Sequence, residues 1–122
     1  MADQPLKGVR VLEMAQAIAG PFAARTLADM GAEVIKVEQP GVGDMSRRIG
    51  PHFLGGESAY YLNFNRNKQS VTIDLRQAQG QEVFQRLVAV SVKMNLIISI
   101  LIQHQACHGS PALIGTLSTQ SE

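Results

Sequence analysis

Gly8-Val9-Arg10-Val11-Leu12-Glu13-Met14 and Ala32-Glu33-Val34-Ile35-Lys36-Val37-Glu38 are two short apolar, β-branched runs on either side of a segment with helical character. Val9, Val11 and Leu12, following the turn-prone Pro5-Leu6-Lys7, fit a buried strand. Ala15 to Gly20 is small and loop-like, and Pro21 stands where a helix wants its first residue, because its missing N–H would be unpaired there anyway. From Phe22 to Met30, Ala23, Thr26, Leu27 and Met30 recur at helical spacing, with Arg25 and Asp29 one turn apart on the other side. Gly31 can take the left-handed conformation that ends such a helix. Residues 8–38 therefore read as strand, short helix, strand. That compact βαβ unit implies parallel strands and a right-handed crossover.

Working outward, Pro40 to Pro51 reads as a loop that Gly55 and Gly56 extend, and Glu57 to Asn63 as a short helix carrying Tyr60, Tyr61 and Leu62. Ser70 to Leu75 alternates and is β-branched, which predicts a third strand. Gln77 to Ala89 predicts a helix with Val83, Phe84, Leu87 and Val88 on one face. The fold class is thus α/β, with the βαβ unit at 8–38, the third strand at 70–75 and a helix at 77–89. From Val90 the character changes: residues 91–102 have no clear period, and 103–122 are rich in Gln, Ser, Thr, Gly and Ala without an apolar face. Two regions are expected, 1–89 and a divergent tail at 90–122. No internal repeat is present.

The 122 residues allow one small domain, and 45% hydrophobic residues are enough for its core. A net charge of +1 gives no global field, so neither nucleic acid nor an anionic membrane is expected as a partner. The single cysteine, Cys107, excludes an internal disulfide and suits a reducing compartment. Cys107 lies between His104 and His108, but no fourth ligand is nearby, so a loop cluster is the preferred reading and no metal is expected. Met-Ala-Asp-Gln-Pro at the start lacks the basic residues and apolar run of a signal peptide. The most apolar stretch, Met94 to Ile102, falls short of the roughly twenty residues that span a bilayer. The expected location is cytoplasmic.

Chemistry singles out the loop Ala15-Gln16-Ala17-Ile18-Ala19-Gly20-Pro21. In an open parallel sheet, ligands bind outside the carboxyl ends of the strands, where loops meet helix N-termini. Free N–H groups and the helix dipole favour an anion there, and small residues let a ligand approach the main chain. The loop is not Gly-x-Gly-x-x-Gly, and on chemistry alone a tight turn packing a helix on a sheet is the stronger reading. Lys36, Arg47, Arg48, Arg66, Lys68 and Arg76 flank expected strand ends and suit phosphate if they converge, but taken alone an ordinary solvated surface is the preferred reading. Asp44 either accepts from a ribose hydroxyl or caps a turn, the cap being preferred. Asp3, Asp29, Asp44 and Asp74 form no evident nucleophile–base pair with the histidines, and His52 reads as a loop residue. No catalytic residue is assigned.

At these residues a family resemblance emerges. Pro-Leu-x-Gly-Val-Arg-Val-Leu-Glu at 5–13, Ala19-Gly20-Pro21-Phe22 and the run from Leu27 to Glu38 resemble the opening of class III CoA-transferases. Gly43-Asp44-Met45-Ser46-Arg47, Gly50-Pro51, the run from Gly55 to Tyr61 and the run from Asn65 to Leu75 continue it in order. Each piece is common; the ordered series is specific. The family includes formyl-CoA transferase, carnitine CoA-transferase, succinyl-CoA–glutarate CoA-transferase and α-methylacyl-CoA racemase.

The resemblance implies a Rossmann-like domain in a two-domain subunit, paired with a second copy as interlocked rings. It implies CoA transfer between carboxylic acids: an aspartate attacks the thioester carbonyl, and the resulting anhydride lets CoA be handed on. Coenzyme A or acyl-CoA is then a substrate, with no prosthetic group. The racemase branch would instead move a proton beside the thioester. By the same resemblance Ile18 and Ala19 match a first CoA contact, and Ile73, Asp74, Leu75 and Arg76 a second. Gln39 falls where formyl-CoA transferase has an arginine, so a neutral side chain replaces a phosphate partner. The family continues past the last helix with a Glu-Asn-Phe motif, its catalytic aspartate and a second domain. Here Val90-Ser91-Val92-Lys93-Met94-Asn95 follows instead. The expectation is a truncated or frameshifted, catalytically incomplete form; a non-catalytic acyl-CoA or nucleotide-binding module and a subunit that pairs with a full-length homologue are the alternatives. Open edges of an interrupted parallel sheet are expected to favour self-association.

Overall fold

The structure is a computed structural model that describes residues 4–91. Strand β1 (Arg10–Glu13), helix α1 (Ala19–Asp29) and strand β2 (Glu33–Glu38) form the expected unit, with β1 and β2 parallel and Val11 opposite Val34. Strand β3 (Phe53–Leu54) and strand β4 (Glu57–Ser58) make a small antiparallel hairpin. Helix α2 (Ala59–Asn65), strand β5 (Lys68–Thr72) and helix α3 (Ala78–Ala89) follow. β5 lies parallel to β2, giving the order β1-β2-β5. The Met94–Ile102 stretch, the His104–Cys107–His108 cluster and nearly all of the expected tail lie outside the described residues.

Several boundaries differ from the sequence reading, each for a local reason. α1 starts at Ala19, so Pro21 is its third residue. The first four amides of a helix have no intrahelical partner, so proline is tolerated there too. The face α1 buries is Gly20, Pro21, Ala24 and Ala28, whereas Met30 is 41% exposed. Small residues bring the helix close to the sheet, and Ala24 and Ala28 pack with Val11, Ala32 and Val34 as the core. Arg25 and Asp29 do pair across one turn, at 3.7 Å. Gly31 leaves the helix at φ +100°.

The third strand runs from 68 to 72, not 70 to 75. Beyond it the Asp74 carboxylate accepts the Arg76 amide at 3.1 Å, and the Gln77 amide reaches the Asp74 carbonyl at 3.1 Å. This turn bends the chain out of the ladder into α3. Residues 40–51 contain a short 3-10 turn at Met45–Arg48, and α2 begins two residues later than expected, at the Ser58 cap. The apolar face of α3 is uncovered among the described residues: none of its residues is buried, and Val83 is 47% exposed.

Candidate functional site

One face of the sheet changes character along the strands. Side chains two residues apart share a face, so Glu13 follows Val11, and Lys36 and Glu38 follow Val34. The core valines lie toward the amino ends; the charged groups lie toward the carboxyl ends, and all are buried. Lys36 Nζ is 3.1 Å from Glu13 Oε1 and 2.7 Å from Asp44 Oδ2, and donates to the Ala15 carbonyl at 2.8 Å. Lys68 Nζ meets Glu13 Oε2 at 2.7 Å and donates to Pro21 O and Asn65 Oδ1, each at 2.9 Å. Each cation thus faces carboxylate or carbonyl oxygen, which is what makes buried charge tolerable.

Glu38 anchors the second half of the network. It accepts from Arg47 Nε at 2.9 Å and Nη2 at 2.8 Å, from Ser70 Oγ at 2.6 Å, from Tyr61 Oη at 3.1 Å and from the Asp44 amide at 2.7 Å. Burial alone would raise this carboxyl, but the bonds from Arg47, Ser70 and the Asp44 amide outweigh it and hold the pKa at about 2. Asp44 behaves alike: burial raises it, and Lys36 and Ser46 more than offset that and lower it. Burial and the Glu38 charge raise the Tyr61 phenol. The Arg47 guanidinium also stacks 3.8 Å from the Tyr61 ring centroid.

This network ties down the loops at the carboxyl ends of the strands, where the candidate contact residues sit. Ile18 and Ala19 follow β1, Gln39 directly follows β2, and Ile73 to Arg76 follow β5. Neighbouring strands lie about 4.8 Å apart, and the Ile73 amide reaches the Glu38 carbonyl at 3.0 Å. The three segments are therefore side by side at one end of the sheet. Ile18, Ala19, Gln39 and Arg76 are exposed, and Asp74 and Leu75 are partly so. Ile73 is 7% exposed, so it offers a ligand main chain rather than side chain. A cleft of about 30 Å³ lies between the first two loops, lined by Ala15, Gln16, Gln39 and Asp44 among others. That is about one water molecule's volume, so anything larger would lie across the loops.

The basic residues do not form the open cluster that a phosphate site would need. Lys36 and Lys68 are buried in ion pairs, Arg47 is bound to Glu38, and Arg66 pairs with Asp29 at 2.7 Å. Arg76 is bound to Asp74 at 2.8 Å but stays 73% exposed in its side chain, and Arg48 donates to the Val42 carbonyl at 3.2 Å. The reason is local charge balance: each of these cations except Arg48 meets a carboxylate of the same unit. Asp44 caps the 3-10 turn, accepting from the Ser46 amide at 2.8 Å, as the cap reading expected. His52 sits in the loop before the hairpin, exposed. Asp29, Asp44 and Asp74, the aspartates among the described residues, are all paired with cations. Among the described residues no group of three or more His, Cys, Asp or Glu side chains could hold a metal ion, and no helix is long and apolar enough to cross a membrane.

The buried network was missed by sequence reasoning. Its signal was present: Glu13 and Lys36 are opposite charges on neighbouring strands, in phase with core valines.

Comparison with known proteins places this architecture. A model of the family described as CoA-transferase family III matches residues 6–92. Human succinyl-CoA:glutarate CoA-transferase is 49% identical over 87 residues, covering 71% of this chain and 20% of that protein. Succinyl-CoA–D-citramalate CoA-transferase of Chloroflexus aurantiacus is 52% identical over 85 residues, covering 70% of this chain and 21% of that protein. The crystal structure of a CaiB/BaiF family protein from Brucella suis superposes with a TM-score of 0.66 at 45% identity, over 71% of this chain and 24% of that one. The chain spans about a fifth of the length of the curated relatives it matches. The ordered motifs, the parallel β1-β2-β5 sheet and these matches agree that the chain belongs to CoA-transferase family III.

Proposed function

We propose that residues 6–89 are the coenzyme-seating part of a CoA-transferase, with the nucleotide end of CoA lying across the loops after β1, β2 and β5. The observation that carries this is the convergence of Ile18, Ala19, Gln39 and Ile73–Arg76 at the carboxyl ends of three adjacent parallel strands. Two details support it. α1 and α3, which start at this end, have no side-chain cap and no acidic residue in the first turn, and α2, whose first turn reaches Glu38 at the same end, is capped by Ser58. Unpaired amides and a positive dipole end suit a phosphate. Arg76, forked and mostly exposed, is the cation best placed to exchange its hold on Asp74 for a second anion.

The chemistry of transfer needs a free carboxylate to attack a thioester. Asp29, Asp44 and Asp74 are each held by a cation. The proposal therefore assigns coenzyme binding to residues 6–89 and leaves the nucleophile outside 4–91. Residues 90–122 are proposed to be a separate, divergent segment, and the location to be cytoplasmic. Calorimetric titration of the chain with CoA tests the proposal. Saturable heat, reduced for pantetheine lacking the nucleotide, is expected; no heat at about millimolar CoA would overturn it.

A further inference from the structure

We infer that Lys36 and Asp44 are positioning residues that hold the first coenzyme loop, residues 15–18, in its binding shape. The inference rests on the coenzyme seat proposed above.

Both members of this buried pair spend contacts on the main chain of that loop. Lys36 reaches past the end of β1 to donate to the Ala15 carbonyl at 2.8 Å. Asp44 Oδ1 accepts from the Ala17 amide at 3.4 Å and from the Ser46 amide and hydroxyl at 2.8 and 2.7 Å. Gln16 lies between the two anchored groups, and Ala17, directly after them, stands at φ +67°. An L-residue with a Cβ is disfavoured there and persists only where the surroundings impose it. The pair is the visible constraint, since its two ends hold the Ala15 carbonyl and the Ala17 amide, the peptide groups on either side of Gln16 that lead into Ala17. Fixing that residue aims the amides that follow, at Ile18, Ala19 and Gly20, out of the uncapped start of α1.

A stability role explains the arrangement less well. The Val11, Ala24, Ala28 and Val34 core and the Glu13–Lys68 pair connect α1, β1, β2 and β5 without these two side chains. A buried ion pair is in general a weak source of stability relative to apolar groups of similar volume. Capping the 3-10 turn would require only one short side chain, not a carboxylate bridged to a lysine.

The test is a charge-balanced double variant, Lys36→Met with Asp44→Asn, in the full chain. It removes one charge of each sign and leaves Glu13 paired with Lys68. Three quantities are measured: melting temperature, amide hydrogen exchange without ligand, and CoA affinity by calorimetry. The expected result is a melting temperature close to that of the unaltered chain and exchange at 15–19 faster by about tenfold, with β1 and β2 unchanged. CoA affinity should fall about tenfold, as for a loop whose binding shape is occupied a tenth of the time. Unchanged loop exchange overturns the inference, and so does uniformly faster exchange with a collapsed melting temperature, which marks a structural role. If the double variant does not fold, Lys36→Met alone, which removes the donor to the Ala15 carbonyl while Asp44 keeps its bonds from Ser46, is read by the same exchange criterion. If the unaltered chain binds no CoA, the coenzyme reading falls, and loop exchange alone decides whether the pair holds the loop.

Discussion

Replacing Glu38 with glutamine removes one charge from the most heavily hydrogen-bonded side chain in the structure. Glu38 is 5% exposed and accepts from Arg47, Tyr61, Ser70 and the Asp44 amide. Its pKa is held at about 2 against an ordinary 4.5. Because the folded value lies below the unfolded one, the linked stability is fully present above pH 4.5 and is lost as the pH falls toward 2. At about 1.4 kcal/mol per pH unit the gap amounts to roughly 3 kcal/mol. Breaking a buried pair by removing one partner costs about 3–5 kcal/mol. Arg47 is 28% exposed and retains Glu57 at 3.2 Å, which places Glu38→Gln at the lower end, about 3 kcal/mol. Urea unfolding of both proteins at pH 7 and across pH 5 to 2 measures this. The unaltered chain should lose stability through that window, and Glu38→Gln should start lower and show a flatter acid limb. A variant within about 0.5 kcal/mol of the original at pH 7, with the same acid limb, would refute the reasoning.

Three further outcomes are expected. A Cβ on Gly80 would lie 2.0 Å from the Asp74 carbonyl oxygen, so Gly80→Ala should push α3 off the 73–76 loop and cost about 2 kcal/mol, read by urea unfolding. Ala17→Gly should release the cost of φ +67° and raise stability by up to about 1 kcal/mol; a loss would show that Ala17 is not strained. Arg76→Gln should weaken CoA binding and reduce its salt dependence while leaving the melting temperature unchanged, since the side chain is largely solvated.

The βαβ unit was legible because apolar runs and helical spacing are strong local signals, and the parallel β1–β2 register follows them. The buried face of α1 was not, because hydrophobic periodicity weights large residues. The helix instead buries Gly20, Pro21, Ala24 and Ala28 to approach the sheet closely. The third strand ends earlier than expected because Ile73 and Leu75 alternate like strand residues, whereas the Asp74 turn is a side-chain event that spacing does not reveal. The candidate contact residues come from family resemblance; chemistry alone points only to the 15–21 loop among them. The pairing of Glu13, Lys36, Glu38 and Lys68 is not legible, because isolated charges in strands read as solvent-facing, and the cap reading of Asp44 gives no sign of its bridge to Lys36. Only the three-dimensional pairing shows that they neutralise one another inside.

Three loops at one end of a parallel sheet are proposed to seat the nucleotide of CoA. Titrating CoA into the isotope-labelled chain while following backbone amide resonances tests this most directly. Saturable shifts clustered at 16–20, 39–44 and 74–78 are expected. Shifts concentrated on the β3–β4 hairpin or α2, or none at any segment, would contradict it.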